Sequence, residues 1–259
     1  MRESLTLHVE PQLSNATLVA AFEGWNDAGE AATGAVRFVE DAIRAVPLAD
    51  LDAEEFLDLT VRRPTVRNRR DGTPRIEWPA TRFSYGPIDA SRELVLGVGI
   101  EPHLRWRAYC DEFAALVARL KVQRVVLLGA YVADVVYSRP VAVSGFASEA
   151  HVLEKVGVQP SGYEGPTGIV GVLAERLRAD GVATLSLWAG LPHYISATPN
   201  PRGALALVQT LTAALPMAID EGPLRREAAQ FEQRISDLVN ADPDLSEYVR
   251  LLKKREFAQ

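Results

Sequence analysis

Four short stretches that follow apolar runs carry acidic, aromatic or imidazole side chains that could do chemistry together: Glu23-Gly24-Trp25-Asn26-Asp27, Glu101-Pro102-His103, Tyr131 to Asp134, and Pro192-His193-Tyr194. Carboxylate and imidazole groups are common carriers of general acid–base catalysis. If the stretches meet, Glu23, Trp25, Asn26, Asp27, Glu101, His103, Asp134, His193 and Tyr194 line one pocket. Glu23 or Asp27 would then be the base, and His193 would polarise a substrate carbonyl or phosphate. The plainer account of the same residues is structural: Asp27 caps a helix, Glu101 and Asp134 are solvated, and the histidines bond to backbone.

A metal version of the pocket would join His103 and His193 to Asp27 or Glu101. No two histidines have the local spacing of a known metal motif, and no metal or other cofactor is expected. Gly165-Pro166-Thr167-Gly168 precedes a helical pattern, so Thr167 and Gly168 are a candidate anion site at a helix N-terminus. Alternatively, Thr167 caps that helix, while Gly168 and Gly171 let it approach the sheet. Gly97-Val98-Gly99 begins a dinucleotide fingerprint, but Pro102 stands where the third glycine belongs. There is no Gly-Lys-Ser/Thr phosphate loop, and Ser144 and Ser186 lack the glycine pair of a nucleophile elbow. These gaps weigh against common dehydrogenases, P-loop ATPases and α/β-hydrolases.

The elements that must position these loops read as alternating strands and helices. Buried strands are expected at Thr17–Phe22, Leu94–Ile100, Arg124–Ala130 and Ala183–Trp188, with others around Phe56–Val61 and Val141–Phe146. A helix follows the first loop, with Ala35, Phe38, Val39, Ala42, Ile43 and Val46 as its stripe and Asp27 and Glu30 placed as a capping pair. Another carries Tyr109, Phe113, Leu116, Val117 and Leu120; further helices cover Gly168–Ala179 and Arg202–Leu215. This alternation implies an α/β protein of three layers, α/β/α, with a mostly parallel sheet, whose strand ends would gather the four loops at one rim. Arg62 to Arg75 is basic and broken by the turn pair Asp71-Gly72, which reads as a β-ribbon ending near Trp78. Its arginines either grip phosphate or an acidic partner, or keep an exposed edge soluble.

From Gly222 the pattern is helical alone. Leu224, Ala228, Phe231, Ile235 and Leu238 form a narrow seam, and a second helix after Asp242-Pro243 carries Leu245, Tyr248, Val249 and Leu252. The expected organisation is a core domain over 1–219 and a helical extension over 220–259. That extension either packs on the chain's own core or presents a surface to a partner.

The chain has 259 residues, a net charge of −6 and 24 arginines against 4 lysines. An acidic balance argues against a general nucleic-acid binder. No apolar run is long enough to span a bilayer, the N-terminus lacks a signal-peptide core, and Cys110 stands alone. A cytoplasmic protein without membrane or nucleic-acid partners is the expectation.

Phe22-Glu23-Gly24-Trp25-Asn26-Asp27-Ala28-Gly29 resembles the opening signature of the proteasome assembly chaperone 2 family. Further matches follow in order: Arg63-Pro64, Asp71-Gly72, Trp78-Pro79, Gly99 to Pro102 with Trp106, Gly129-Ala130, Arg139-Pro140, Gly165 to Ile169, Trp188 with Pro192-His193-Tyr194, and Asn200-Pro201. The resemblance implies a nucleoside-phosphorylase-like α/β/α fold, usually with a helical C-terminal addition, and an oligomeric protein whose eukaryotic relatives assist proteasome assembly. Two departures stand out. Val136-Tyr137-Ser138 replaces the Pro-His-Thr of many relatives, and the chain ends Phe257-Ala258-Gln259, unlike the hydrophobic-Tyr-x ending of chaperones that dock on proteasome rings. The leading expectation is a non-enzymatic homo-oligomeric assembly protein with a proteasome-related partner. The alternative is a small-molecule enzyme of nucleoside phosphorylase or hydrolase type.

Overall fold

A computed structural model describes residues 4–52, 54–195 and 197–257. Among these residues eleven strands form: β1 (Leu5–Leu7), β2 (Thr17–Glu23), β3 (Val46–Asp52), β4 (Thr65–Asn68), β5 (Pro74–Glu77), β6 (Ala80–Pro87), β7 (Glu93–Ile100), β8 (Arg124–Ala133), β9 (Val143–Ala147), β10 (Gln159–Pro160) and β11 (Ala183–Pro192). The helices are α1 (Ala31–Ala42), α2 (Trp106–Arg119), α3 (Ala150–Lys155), α4 (Ile169–Ala179), α5 (Pro201–Ala214), α6 (Gly222–Ala241) and α7 (Pro243–Phe257). Nine strands make one mixed sheet in the order β1-β3-β6-β7-β2-β8-β11-β9-β10. Its centre, β7-β2-β8-β11, is parallel, as expected, while antiparallel pairings extend the margins.

The central strands are mostly apolar because helices cover both faces. Successive residues of a strand point to opposite sides. Leu18, Ala20 and Phe22 of β2 therefore meet Tyr109 and Phe113 of α2 and Leu173 of α4, while Val19 and Ala21 meet Val36 and Val39 of α1 and Leu207 of α5. This is the three-layer arrangement the alternation implied.

The margins depart from the expected strands. Phe56–Val61 is not a strand, although Phe56 and Leu57 are buried. Asp58 accepts from the backbone and hydroxyl of Thr60 at 2.8 and 2.6 Å, and such local side-chain bonds favour a turn over a ladder. The strand lies instead at Val46–Asp52, so α1 ends at Ala42 and Val46 is not on its stripe. The ribbon forms as expected: β4 pairs antiparallel with β5 around Asp71-Gly72.

The seam of α6 buries Leu224, Ala228, Phe231, Ile235 and Val239; Leu238, assigned to it from spacing, is 59% exposed. The shift by one position widens the seam from the coiled-coil stripe to an ordinary helical face. Phe231, Ile235 and Val239 pack with Val249 and Leu252 of α7 and with Val136 and Tyr137, so the helical pair rests on the chain's own loops. Ala258 and Gln259, the end of the departing C-terminal tripeptide, lie outside the described residues. No helix among the described residues is long and apolar enough to cross a membrane.

Candidate functional site

The parallel centre sends the C-terminal ends of β2, β7, β8 and β11 to one rim, but the polar groups there divide into separate local networks. β2 ends at Glu23, and Gly24, at φ +119°, opens a turn that brings Asp27 to a bridge with Ala130 of β8. Asn26 is fully buried, and its carbonyl accepts from Ala130 N of β8 at 2.8 Å. The Asp27 carboxylate accepts from Ala32 N at 2.7 Å, Thr33 N at 3.2 Å and the Thr33 hydroxyl at 2.5 Å. The first backbone N–H groups of α1 lack partners within the helix, and Asp27 supplies them from outside it. Glu30, the other member of the expected capping pair, makes no cap bond. Burial pushes the Asp27 carboxyl above its ordinary value, and the bonds from Thr33 and Ala32 pull it partly back.

Glu101 is occupied in the same way. Its Oε1 accepts from Asn26 Nδ2 at 2.6 Å and from Ile169 N, the first residue of α4, at 2.8 Å. A carboxylate at a helix N-terminus is favoured by the exposed N–H groups and by the helix dipole. The N-cap is Gly168 rather than Thr167, whose hydroxyl lies 3.5 Å from the Gly168 carbonyl. A Cβ at position 168 would fall 2.2 Å from Asn26 Oδ1 and 2.6 Å from Glu101 Oε1, so glycine is what lets α4 close on this pair. At the candidate anion site of Thr167 and Gly168, the protein's own Glu101 thus already holds the Ile169 N–H. Asn26 Oδ1 is buried without a partner among the described residues.

The remaining candidates lie apart. Glu23 pairs with Arg37 and Arg62. Trp25 is 62% exposed. His103 Nδ1 accepts from Asp58 N at 2.9 Å, and the His103 backbone N–H donates to Phe56 O at 2.8 Å, which fastens the 56–58 loop. His193 Nδ1 stands 3.0 Å from Asp134 at the ends of β11 and β8. The Tyr194 hydroxyl accepts from Tyr137 N at 2.8 Å and donates to Val135 O at 3.0 Å, and burial pushes it up to about 12. His193, Tyr194 and Tyr248 of α7 contact edge to face, with ring centroids 5.4–5.6 Å apart. Tyr248 was legible only as a helical core position; the C-terminal pair brings it to the rim.

Among the described residues no group of three or more His, Cys, Asp or Glu side chains could hold a metal ion. Cys110 is buried in α2, and burial pushes its thiol up to about 12. One site escaped the sequence reading. Arg37 of α1 and Arg82 of β6 join Arg62, Arg63 and Arg67 of the ribbon around a groove of about 380 Å³. Only the ribbon arginines were visible as a run.

The PAC2 family model matches residues 21–239. The chain belongs to the PAC2 family. A PAC2 family protein from Streptomyces avermitilis is 42% identical, with a TM-score of 0.84 over 90% of this chain and 99% of that one. A Mycobacterium tuberculosis proteasome-assembly chaperone homologue is 41% identical, with a TM-score of 0.81 over the same shares. An archaeal proteasome activator from Pyrococcus furiosus shares the fold at 17% identity, with a TM-score of 0.72 over 92% of this chain and 99% of that one. No curated protein matches the chain. The expected family and its α/β/α fold are thus those of this PAC2 protein.

Proposed function

We propose that this PAC2 protein is a non-catalytic assembly factor that self-associates through its ribbon and engages proteasome subunits. The observation that carries the reading is the ribbon itself. Both of its strands are exposed, with Val66 opposite Ile76, and Val61 and Trp78 stand exposed at its stem. An isolated two-stranded ribbon is at best marginally stable in water, so a covering surface would order it. Arg62, Arg63, Arg67, Arg69, Arg70 and Arg75 lie on it in a chain of net charge −6, and a second copy offers the complementary acidic surface. The proteasome as partner class is supported by the description of the Mycobacterium tuberculosis relative. A cytoplasmic setting belongs to the same reading.

The enzyme alternative asks for a free base near an electrophile-polarising imidazole. Asp27 instead holds the start of α1, Glu23 lies between two arginines, and His193 faces Asp134. Sedimentation and native mass spectrometry of the wild type and of a Val66→Ser/Ile76→Ser variant test the proposal. The wild type should form an oligomer at micromolar concentration that the variant loses, and it should bind purified proteasome subunits. A wild type that stays monomeric at 100-fold higher concentration and binds no such subunit would overturn it.

A further inference from the structure

The groove between the ribbon's stem, α1, the start of β6 and the end of β7 has a charge pattern that the fold does not require. Five arginines against three glutamates line it, a net charge of two positive. Glu23 engages Arg37 and Arg62, and Arg67 stands 3.7 Å from Glu77. The guanidinium groups of Arg63 and Arg82 make no hydrogen bond or ion pair among the described residues, although both residues line the same groove. Two unpaired guanidinium forks facing one cavity suit an anion with several terminal oxygens. A carboxylate has only two oxygens to share between them, whereas a phosphate monoester presents three and carries a charge of about −1.5 to −2 at neutral pH. Trp78 adds an indole that is 52% exposed, and half-buried Val98 and Ile100 supply apolar wall. At about 380 Å³ the groove is within the range of small-molecule sites.

We propose that this groove binds a phosphate monoester bearing a planar ring, with the phosphate held by Arg63 and Arg82 and the ring against Trp78. The groove shares Arg63 and Trp78 with the ribbon surface invoked for self-association but not the apolar Val66–Ile76 pair, so the Val66→Ser/Ile76→Ser variant separates loss of self-association from loss of ester binding.

Calorimetric titration in low-salt buffer with AMP, phosphotyrosine, inorganic phosphate and adenosine tests it. At least one of the two esters should bind saturably and roughly tenfold more tightly than inorganic phosphate, with adenosine showing no binding; AMP against phosphotyrosine separates a purine preference from acceptance of any aryl ring. The Arg63→Ala/Arg82→Ala variant should weaken ester binding by roughly tenfold or more, the loss expected for charge-assisted hydrogen bonds. Trp78→Ala should weaken the ester while leaving inorganic phosphate unchanged. Circular dichroism confirms that these surface variants remain folded. No saturable binding of either ester at millimolar concentration, unchanged ester binding in the double-arginine variant, or adenosine binding as tightly as AMP would each overturn the proposal.

Discussion

The rim and the groove contain similar chemical groups in opposite circumstances. At the rim, Asn26, Asp27 and Glu101 are buried or half-buried, and both carboxylates bond to backbone donors at helix starts. In the groove, Arg63 and Arg82 are exposed and unpaired among the described residues. A buried ionic group without partners costs several kcal/mol, so the fold satisfies it from within; an exposed one keeps its hydration and stays available to a ligand. Asn26, Asp27 and Glu101 at the strand ends therefore serve stability here, and the unpaired positive charge lies where the ribbon leaves the sheet.

The contrast is broken most severely by Asn26→Asp, which sets a second carboxylate where an amide now donates to Glu101 at 2.6 Å. Equilibrium urea unfolding at pH 7 should show a loss of about 3–5 kcal/mol. Repulsion raises the folded pKa of the new pair, so that loss should shrink as pH falls through it. Asp27→Ala strands Ala32 N, Thr33 N and the Thr33 hydroxyl and should cost about 2 kcal/mol by the same measurement.

Asp27 also gives the rim a pH signature. Its folded pKa is raised, so the folded state holds its proton more tightly than the unfolded chain does. Its contribution favours folding below about the ordinary 3.8 and declines as pH rises through the raised value. Asp27→Asn should remove that decline, seen as a flatter stability–pH profile across the window. A smaller effect is expected from Tyr194→Phe: losing the hydroxyl that joins Tyr137 N to Val135 O should cost about 1 kcal/mol in thermal or urea unfolding. Smallest of all, Arg63→Ala and Arg82→Ala should each alter stability by less than about 0.5 kcal/mol. A large loss from either would place the groove with the rim and erase the distinction.

The parallel centre was legible because β2, β7, β8 and β11 are covered on both faces and therefore read as largely apolar runs, broken in β11 only by Thr184 and Ser186 within the strand. Asp71-Gly72 likewise announced its turn. The antiparallel margin was not legible. Phe56–Val61 alternates like a strand, yet Asp58 folds it locally; Val46–Asp52 contains Pro47 and pairs through an irregularity at Pro47/Ala49. Ala80–Pro87 includes Arg82 and ends in Gly86-Pro87, a pair that reads as a breaker. Asp27 as the cap of α1 and His103 as a backbone partner followed the plainer account of those residues. Glu101, expected there to be solvated, is instead tied to Asn26 and α4.

From the order of amino acids alone came the apolar runs, the helix-forming stripes, the ribbon turn and the family signature, because each depends on neighbours within a few residues. The use made of each polar group was decided only by the tertiary structure. Asn26 finds Glu101 from 75 positions away, and Glu101 finds Ile169 N from 68. A hydrogen bond forms only when donor and acceptor come within about 3 Å, and for residues so distant in the chain that approach is set by the pairing of strands and the closing of helices onto the sheet.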